Sequence, residues 1–111
     1  MSDKRTFESG AVRNTAKGKG RFDLISPTAL MRTAKRYEMG TESYPERNWE
    51  KGIPFSSCVD SAMRHLVQWL DGDRSEDHLA GVVFNIFAIM HFERHKPEMN
   101  NIFQEQEDTN G

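Results

Sequence analysis

The sequence predicts an all-α fold: a small helical bundle of three main helices, with a long loop after the first and disordered ends. Three observations predict it. Apolar residues recur at helical spacing in three segments, serine or aspartate stands where each segment opens, and glycine closes the first two. The 111 residues fit one domain, at roughly 100–200 residues per domain.

The first helix starts at Ser26-Pro27, where serine can cap the free N–H groups and proline gives up only an N–H that would stay unpaired. Leu30, Ala34 and Tyr37 follow at helical spacing, and Gly40 suits a left-handed stop. The second begins near Ser56 or Ser57. On a wheel of about 100° per residue, Val59, Ala62, Met63, Leu66, Val67, Trp69 and Leu70 fill one broad arc, and Gly72 ends it. The third opens with Ser75 or Asp77 and runs to Arg94. Over residues 79–90 it is apolar nearly all round, which predicts a central buried helix. The pair Val82-Val83 would also suit a strand, but the length of the run and its start signal favour helix. Between the first two helices, residues 39–55 form a long loop, and loops of this length in small domains are often binding loops.

The ends read differently. Residues 1–17 are a flexible basic arm with no period of either kind, 18–99 are the single helical domain, and 100–111 are an acidic polar tail. So apolar a third helix in so short a chain needs more cover than two neighbours give, which predicts a homo-oligomer.

The net charge of -2 argues against general nucleic-acid binding, and no apolar run reaches the ~18 residues that span a bilayer. No signal-peptide pattern opens the chain and Cys58 is its one cysteine, so the cytoplasm is the expected compartment and a disulfide framework is excluded. The mean charge conceals an asymmetry. Residues 1–52 hold eleven Lys/Arg against seven Asp/Glu, a charge of +4, and residues 53–111 hold four against ten, a charge of −6.

Polar residues inside apolar stretches are the candidates for chemistry. His78 and Asn85 are seven apart on the third helix, within about 20° on the wheel, with Gly81 near the same stripe. Two readings stay open: a satisfied core pair bonded to a neighbouring helix, or a seam facing a ligand. His65, at the edge of the second helix's apolar arc, could join His78 in one cleft able to bind metal or phosphate. Arg64 sits on the polar face, four residues from Asp60, where a simple surface pair is the plainer reading. Residues 71–77 are acidic just before a helix, which suits capping; a Mg²⁺ site on Asp73 and Asp77 is the alternative. Lys19 and Arg21 interleave with Gly18 and Gly20, a pattern able to wrap phosphate, although a solvated arm is the commoner explanation.

Longer strings resemble a family. Gly18-Lys19-Gly20-Arg21-Phe22-Asp23-Leu24-Ile25-Ser26-Pro27 is similar to the opening motif of a phage-rich family, the N-terminal domain of dATP/dGTP diphosphohydrolases. Tyr37-Glu38-Met39-Gly40, Tyr44-Pro45-Glu46-Arg47-Asn48-Trp49-Glu50-Lys51-Gly52 and Ser61-Ala62-Met63-Arg64-His65-Leu66 follow in the family's order. Gly72-Asp73, Asp77-His78-Leu79-Ala80 and Asn85 complete the match.

The resemblance implies hydrolysis of a purine dNTP to dNMP and pyrophosphate, a Mg²⁺ or Mn²⁺ cofactor, and kinship with the MazG-like all-α pyrophosphohydrolases. It also implies a purine nucleotide as partner and, for a phage-encoded protein, the host cytoplasm as compartment. Nucleotide contacts then fall to Lys19, Arg21, Asp23, Tyr44, Arg47, Asn48, Trp49, Arg64, His65, His78 and Asn85, with Trp49 stacking on the base and Lys19 and Arg21 on phosphates. The E-x-x-E and E-x-x-D metal motifs of the MazG-like enzymes are not evident. Asp60 is followed three on by Met63, His78 by Gly81, and residues 78–92 hold no carboxylate. A non-catalytic nucleotide-binding protein, a phage counter-defence sponge or an accessory module, is therefore the alternative; a plain helical interaction protein is the third reading.

Overall fold

A computed structural model of the chain describes residues 3–103. Within them stand three helices, α1 (Pro27–Gly40), α2 (Phe55–Leu70) and α3 (His78–His95), so the fold is the small helical bundle that the sequence predicts. A hairpin of β1 (Lys4–Thr6) and β2 (Val12–Asn14) precedes them, and short 3-10 turns cover Phe22–Leu24, Asn48–Lys51 and Pro97–Met99. Residues 104–111, most of the expected acidic tail, lie outside the described residues. Among the described residues no helix is long and apolar enough to cross a membrane.

The hairpin is an addition to the sequence reading. Its antiparallel register pairs Lys4 with Asn14, Arg5 with Arg13 and Thr6 with Val12. Gly10, at φ 91°, turns the chain: its N–H donates to the Phe7 carbonyl at 2.8 Å, and the Phe7 N–H donates to Ala11. Strands of three exposed residues bury neither face, so no alternation of apolar and polar residues announces them.

Helix ends show where local signals act. Ser26 caps α1, its Oγ accepting from the Ala29 N–H at 3.1 Å. Gly40, expected as a left-handed stop, is instead the last helical residue, and Thr41 ends the helix in the right-handed region. The Thr41 hydroxyl donates to the Glu38 carbonyl and the Tyr44 N–H reaches the Gly40 carbonyl, so those carbonyls are satisfied without a left-handed residue. At the end of α2, Gly72 does take positive φ, and Gly72 and Asp73 donate back to the Trp69 and Gln68 carbonyls.

The start of α2 departs from expectation. It opens at Phe55, and neither Ser56 nor Ser57 caps it. The cap comes from Asn101, whose Oδ1 accepts from the Ser56 N–H at 3.0 Å while its Nδ2 donates to Ser56 Oγ at 2.8 Å. A residue from the expected tail thus ties the C-terminal segment to the core.

Burial selects narrow stripes. Phe55, Cys58, Ala62 and His65 are buried on α2, and His78, Gly81, Asn85, Ala88 and Phe92 on α3, at three- and four-residue spacing, with Ala80 buried beside the α3 stripe. The two helices run antiparallel, since Phe55 and Cys58 cluster with Ala88 and Phe92 at one end and His65 meets His78 at the other. This corrects two expectations. On α2 the packed face lies at the Cys58/His65 edge of the predicted arc, leaving Met63, Leu66, Val67 and Leu70 exposed. On α3 the helix is not buried all round: α1 and α2 cover two sides, and Ile86, Phe87 and Met90 stay exposed.

Candidate functional site

Two neighbouring features share one arginine. The first is a groove of about 630 Å³ between the end of α1 and the loop after it, lined by Arg36, Tyr37, Tyr44, Arg47, Asn48 and Trp49, with Phe84 of α3 behind them. Aromatic packing fixes its floor. The Trp49 ring centroid lies 6.2 Å from Tyr37, 6.5 Å from Phe84, 4.9 Å from His91 and 6.0 Å from buried Phe92. Tyr37 in turn lies 5.1 Å from Phe84, and burial pushes its phenol pKa up.

Two backbone features shape the loop. Arg47 holds φ 60°, the left-handed region a non-glycine residue enters at some strain, and its guanidinium pairs with Glu50 at 2.6 Å. Gly52, at φ 114°, lies so close to Met99 that a Cβ there would meet the sulfur at 2.9 Å. Four of the sequence candidates, Tyr44, Arg47, Asn48 and Trp49, come together in this groove.

The second feature is polar and sits where the α2–α3 link closes the helix pair. His65 Nδ1 and His78 Nδ1 are 2.9 Å apart. Glu76 Oε1 lies 3.9 Å from His65 Nδ1 and accepts from Arg36 Nη1 at 2.9 Å. Arg36 Nη2 lies 3.5 Å from His65 Nε2. Because the guanidinium can only donate, His65 Nε2 is the acceptor; its proton then rests on Nδ1 and points to His78 Nδ1. His78 therefore carries its proton on Nε2. Asp73 Oδ2 lies 3.1 Å from that buried nitrogen.

Gly81 makes the approach of the two rings possible. A Cβ at Gly81 would meet His65 Cδ2 at 2.9 Å and Cγ and Nε2 at 3.0 Å. Burial, and next the Arg36 charge, lower the His65 pKa against the opposing pull of Glu76. Arg36 holds the Glu76 carboxyl below its ordinary range. Asp73 is drawn down to about 2, first by hydrogen bonds from Ser75 and then by His78.

The other sequence candidates lie elsewhere. Asn85 is buried, and its Nδ2 donates to the Gly81 carbonyl at 2.8 Å within its own helix. Asp77 commits both oxygens: Arg32 grips it at 2.7 and 2.9 Å, and Oδ1 also caps Ala80, which together hold its pKa at about 2. Arg64 stays on the exposed face of α2, 4.0 Å from Asp60. Arg21 pairs with Asp23 at 2.8 Å in the open. Lys19 joins Lys4, Arg5 and Arg13 around a separate groove of about 590 Å³ on the hairpin. Cys58 is fully buried, and burial raises its thiol pKa, so it is a core residue.

Arg36, Glu76, Tyr37 and Phe84 are site residues the sequence reading did not single out. A signal existed for two ion pairs: Arg32 and Arg36 are four apart on α1, and Glu76-Asp77 offer two adjacent acids. The structure joins Arg36 to Glu76 and Arg32 to Asp77, fastening α1 to the start of α3.

Residues 9–102 match the family model described as dATP/dGTP diphosphohydrolase, N-terminal. No curated protein and no solved structure matches the chain.

Proposed function

The chain belongs to the dATP/dGTP diphosphohydrolase N-terminal family, and on that premise we propose that it is a purine-deoxynucleotide-binding domain of the dNTP pyrophosphohydrolase type. The aromatic, arginine-flanked groove carries the reading. Tyr44 and Trp49 offer ring faces for a base, the Asn48 amide offers both donor and acceptor to a base edge, and Arg36 and Arg47 offer charge to phosphates. In the proposed reaction a water oxygen bonds to the α-phosphorus, the bond to the β-phosphate oxygen breaks, and dNMP and pyrophosphate result. Mg²⁺ would neutralise phosphate charge, and it prefers an all-oxygen shell. The described residues do not fit it as a resident ion, since the metal-capable cluster found among them contains two imidazoles.

The same observation favours a second reading, a binding protein that holds the nucleotide without cleaving it. Calorimetric titration with dATP and dGTP, alongside a pyrophosphate-release assay with Mg²⁺ or Mn²⁺, separates the two. Saturable binding with pyrophosphate release supports the first, and binding without release supports the second. Tyr44→Ala is expected to weaken binding about tenfold, near the lower end of the ~1–3 kcal/mol of a base–aromatic contact, and Arg47→Gln by about tenfold as well, near the lower end of the ~1.5–3 kcal/mol of a hydrogen bond to a charged group. Both side chains are exposed, so the fold survives their loss. No heat of binding with either nucleotide overturns both readings.

We further propose that a second copy of the chain covers the apolar residues left open on α2 and α3, among them Met63, Val67, Leu70, Ile86 and Met90. Light scattering is expected to give a mass at least twice that of the monomer. A monomer mass at every concentration overturns it.

A further inference from the structure

The structure assigns a divalent transition-metal site to His65, Glu76 and His78. One donor atom from each lies within 4.8 Å of the others. Two imidazole nitrogens and a carboxylate suit an ion of the Zn²⁺ or Co²⁺ type, whereas Mg²⁺ takes oxygen ligands. Two Zn–N bonds of about 2.0–2.1 Å at a tetrahedral angle hold their nitrogens about 3.3 Å apart. The Nδ1 atoms stand at 2.9 Å, so an opening of a few tenths of an ångström admits the ion.

A second observation points the same way. His78 is 2% exposed, and its Nε2 faces the Asp73 carboxylate at 3.1 Å. With Nδ1 on a metal, Nε2 carries the proton and Asp73, 3.1 Å away, is the carboxylate that orients the ring, as outer-shell carboxylates do for metal-bound histidines. In the metal-free protein Arg36 supplies the positive charge, holding Glu76 and facing His65. When an ion arrives, His65 turns its N–H to Nε2 and Arg36 is left to Glu76. Three protein donors leave a tetrahedral ion one position for water or a ligand atom.

This site stands whether or not the groove takes a nucleotide, so its test contains none. Chelator-treated full chain is titrated with Co²⁺ and followed by visible absorption and calorimetry, with Zn²⁺ as competitor and Mg²⁺ as control. One Co²⁺ per chain is expected, displaced by Zn²⁺ and unaffected by Mg²⁺. H78Q and E76Q are each expected to weaken Co²⁺ binding by at least about tenfold. Glu76 is exposed, so E76Q reads the site even if H78Q fails to fold. The variant H95Q breaks up the other close histidine pair, His91 and His95 on α3, whose ring centroids are 4.5 Å apart, at its exposed member, and is expected to bind as the parent does. No Co²⁺ absorption, binding that persists in E76Q, or binding that vanishes in H95Q overturns the assignment.

Discussion

Phe92→Ala is expected to destabilise the chain by about 3–5 kcal/mol, the range for removing a buried aromatic ring. Phe92 is 0% exposed and forms the core with Phe55, Cys58 and Ala88. The expected loss compares with a total of roughly 5–15 kcal/mol for a folded domain, so much of the stability rests on this one ring. Buried apolar side chains here are few, and the small residues Cys58, Ala62 and Ala88 cannot close around the space it leaves. Trp49 rests against the same ring, so the variant also loosens the loop that lines the groove. Urea unfolding with tryptophan fluorescence, in a Trp69→Phe background that leaves Trp49 as the one indole, measures both: the midpoint falls, and the folded-state emission of Trp49 moves towards that of an exposed indole. Phe92→Leu, which keeps more of the volume, is expected to lose less. A loss below about 1 kcal/mol for Phe92→Ala, typical of a surface substitution, would contradict the packing described.

How far the sequence disclosed this arrangement depends on the range of the interaction. Ser26 and Asp77 were legible as caps because a capping side chain bonds an N–H only three residues on. Asn101 was not, since the N–H it caps lies 45 residues earlier and no local pattern marks the pair. The seam of His78, Gly81 and Asn85 was visible as polarity on an apolar helix, but periodicity could not say which of its sides would be covered. Burial shows that this seam faces α2, while the more apolar Ile86, Phe87 and Met90 remain open. The groove was legible in part, because Tyr44, Arg47, Asn48 and Trp49 fall in one loop. Its other wall, Arg36, Tyr37 and Phe84, comes from two different helices. Charge pairing between Arg36 and Glu76 spans 40 residues, and it is this long-range contact that brings the groove and the histidine pair into one region.

Gly81→Ala tests whether the histidine pair governs the helix packing or merely tolerates it. In an isolated helix the change would stabilise, since glycine is about 1 kcal/mol worse than alanine in a helix interior. Here the new Cβ meets three atoms of the His65 ring at 2.9–3.0 Å. Cγ is among them, so the whole ring must move and rotation of its far end gives no relief. Forcing such overpacking costs about 1–3 kcal/mol, and set against the propensity gain the expected net result is a loss of up to about 2 kcal/mol together with a lengthened His65–His78 contact. The decisive comparison adds His65→Ala. With the ring gone, the same Gly81→Ala change meets no obstacle from His65 and only the propensity term is left, so its sign reverses to a gain of about 1 kcal/mol. Urea unfolding of the four chains gives the coupling energy, and imidazole proton resonances report the displaced ring. If Gly81→Ala has the same effect with and without His65, then the missing side chain at Gly81 is not what seats the imidazole. A reversal of sign shows that the missing side chain at Gly81 is what lets the His65 ring sit within hydrogen-bonding distance of His78.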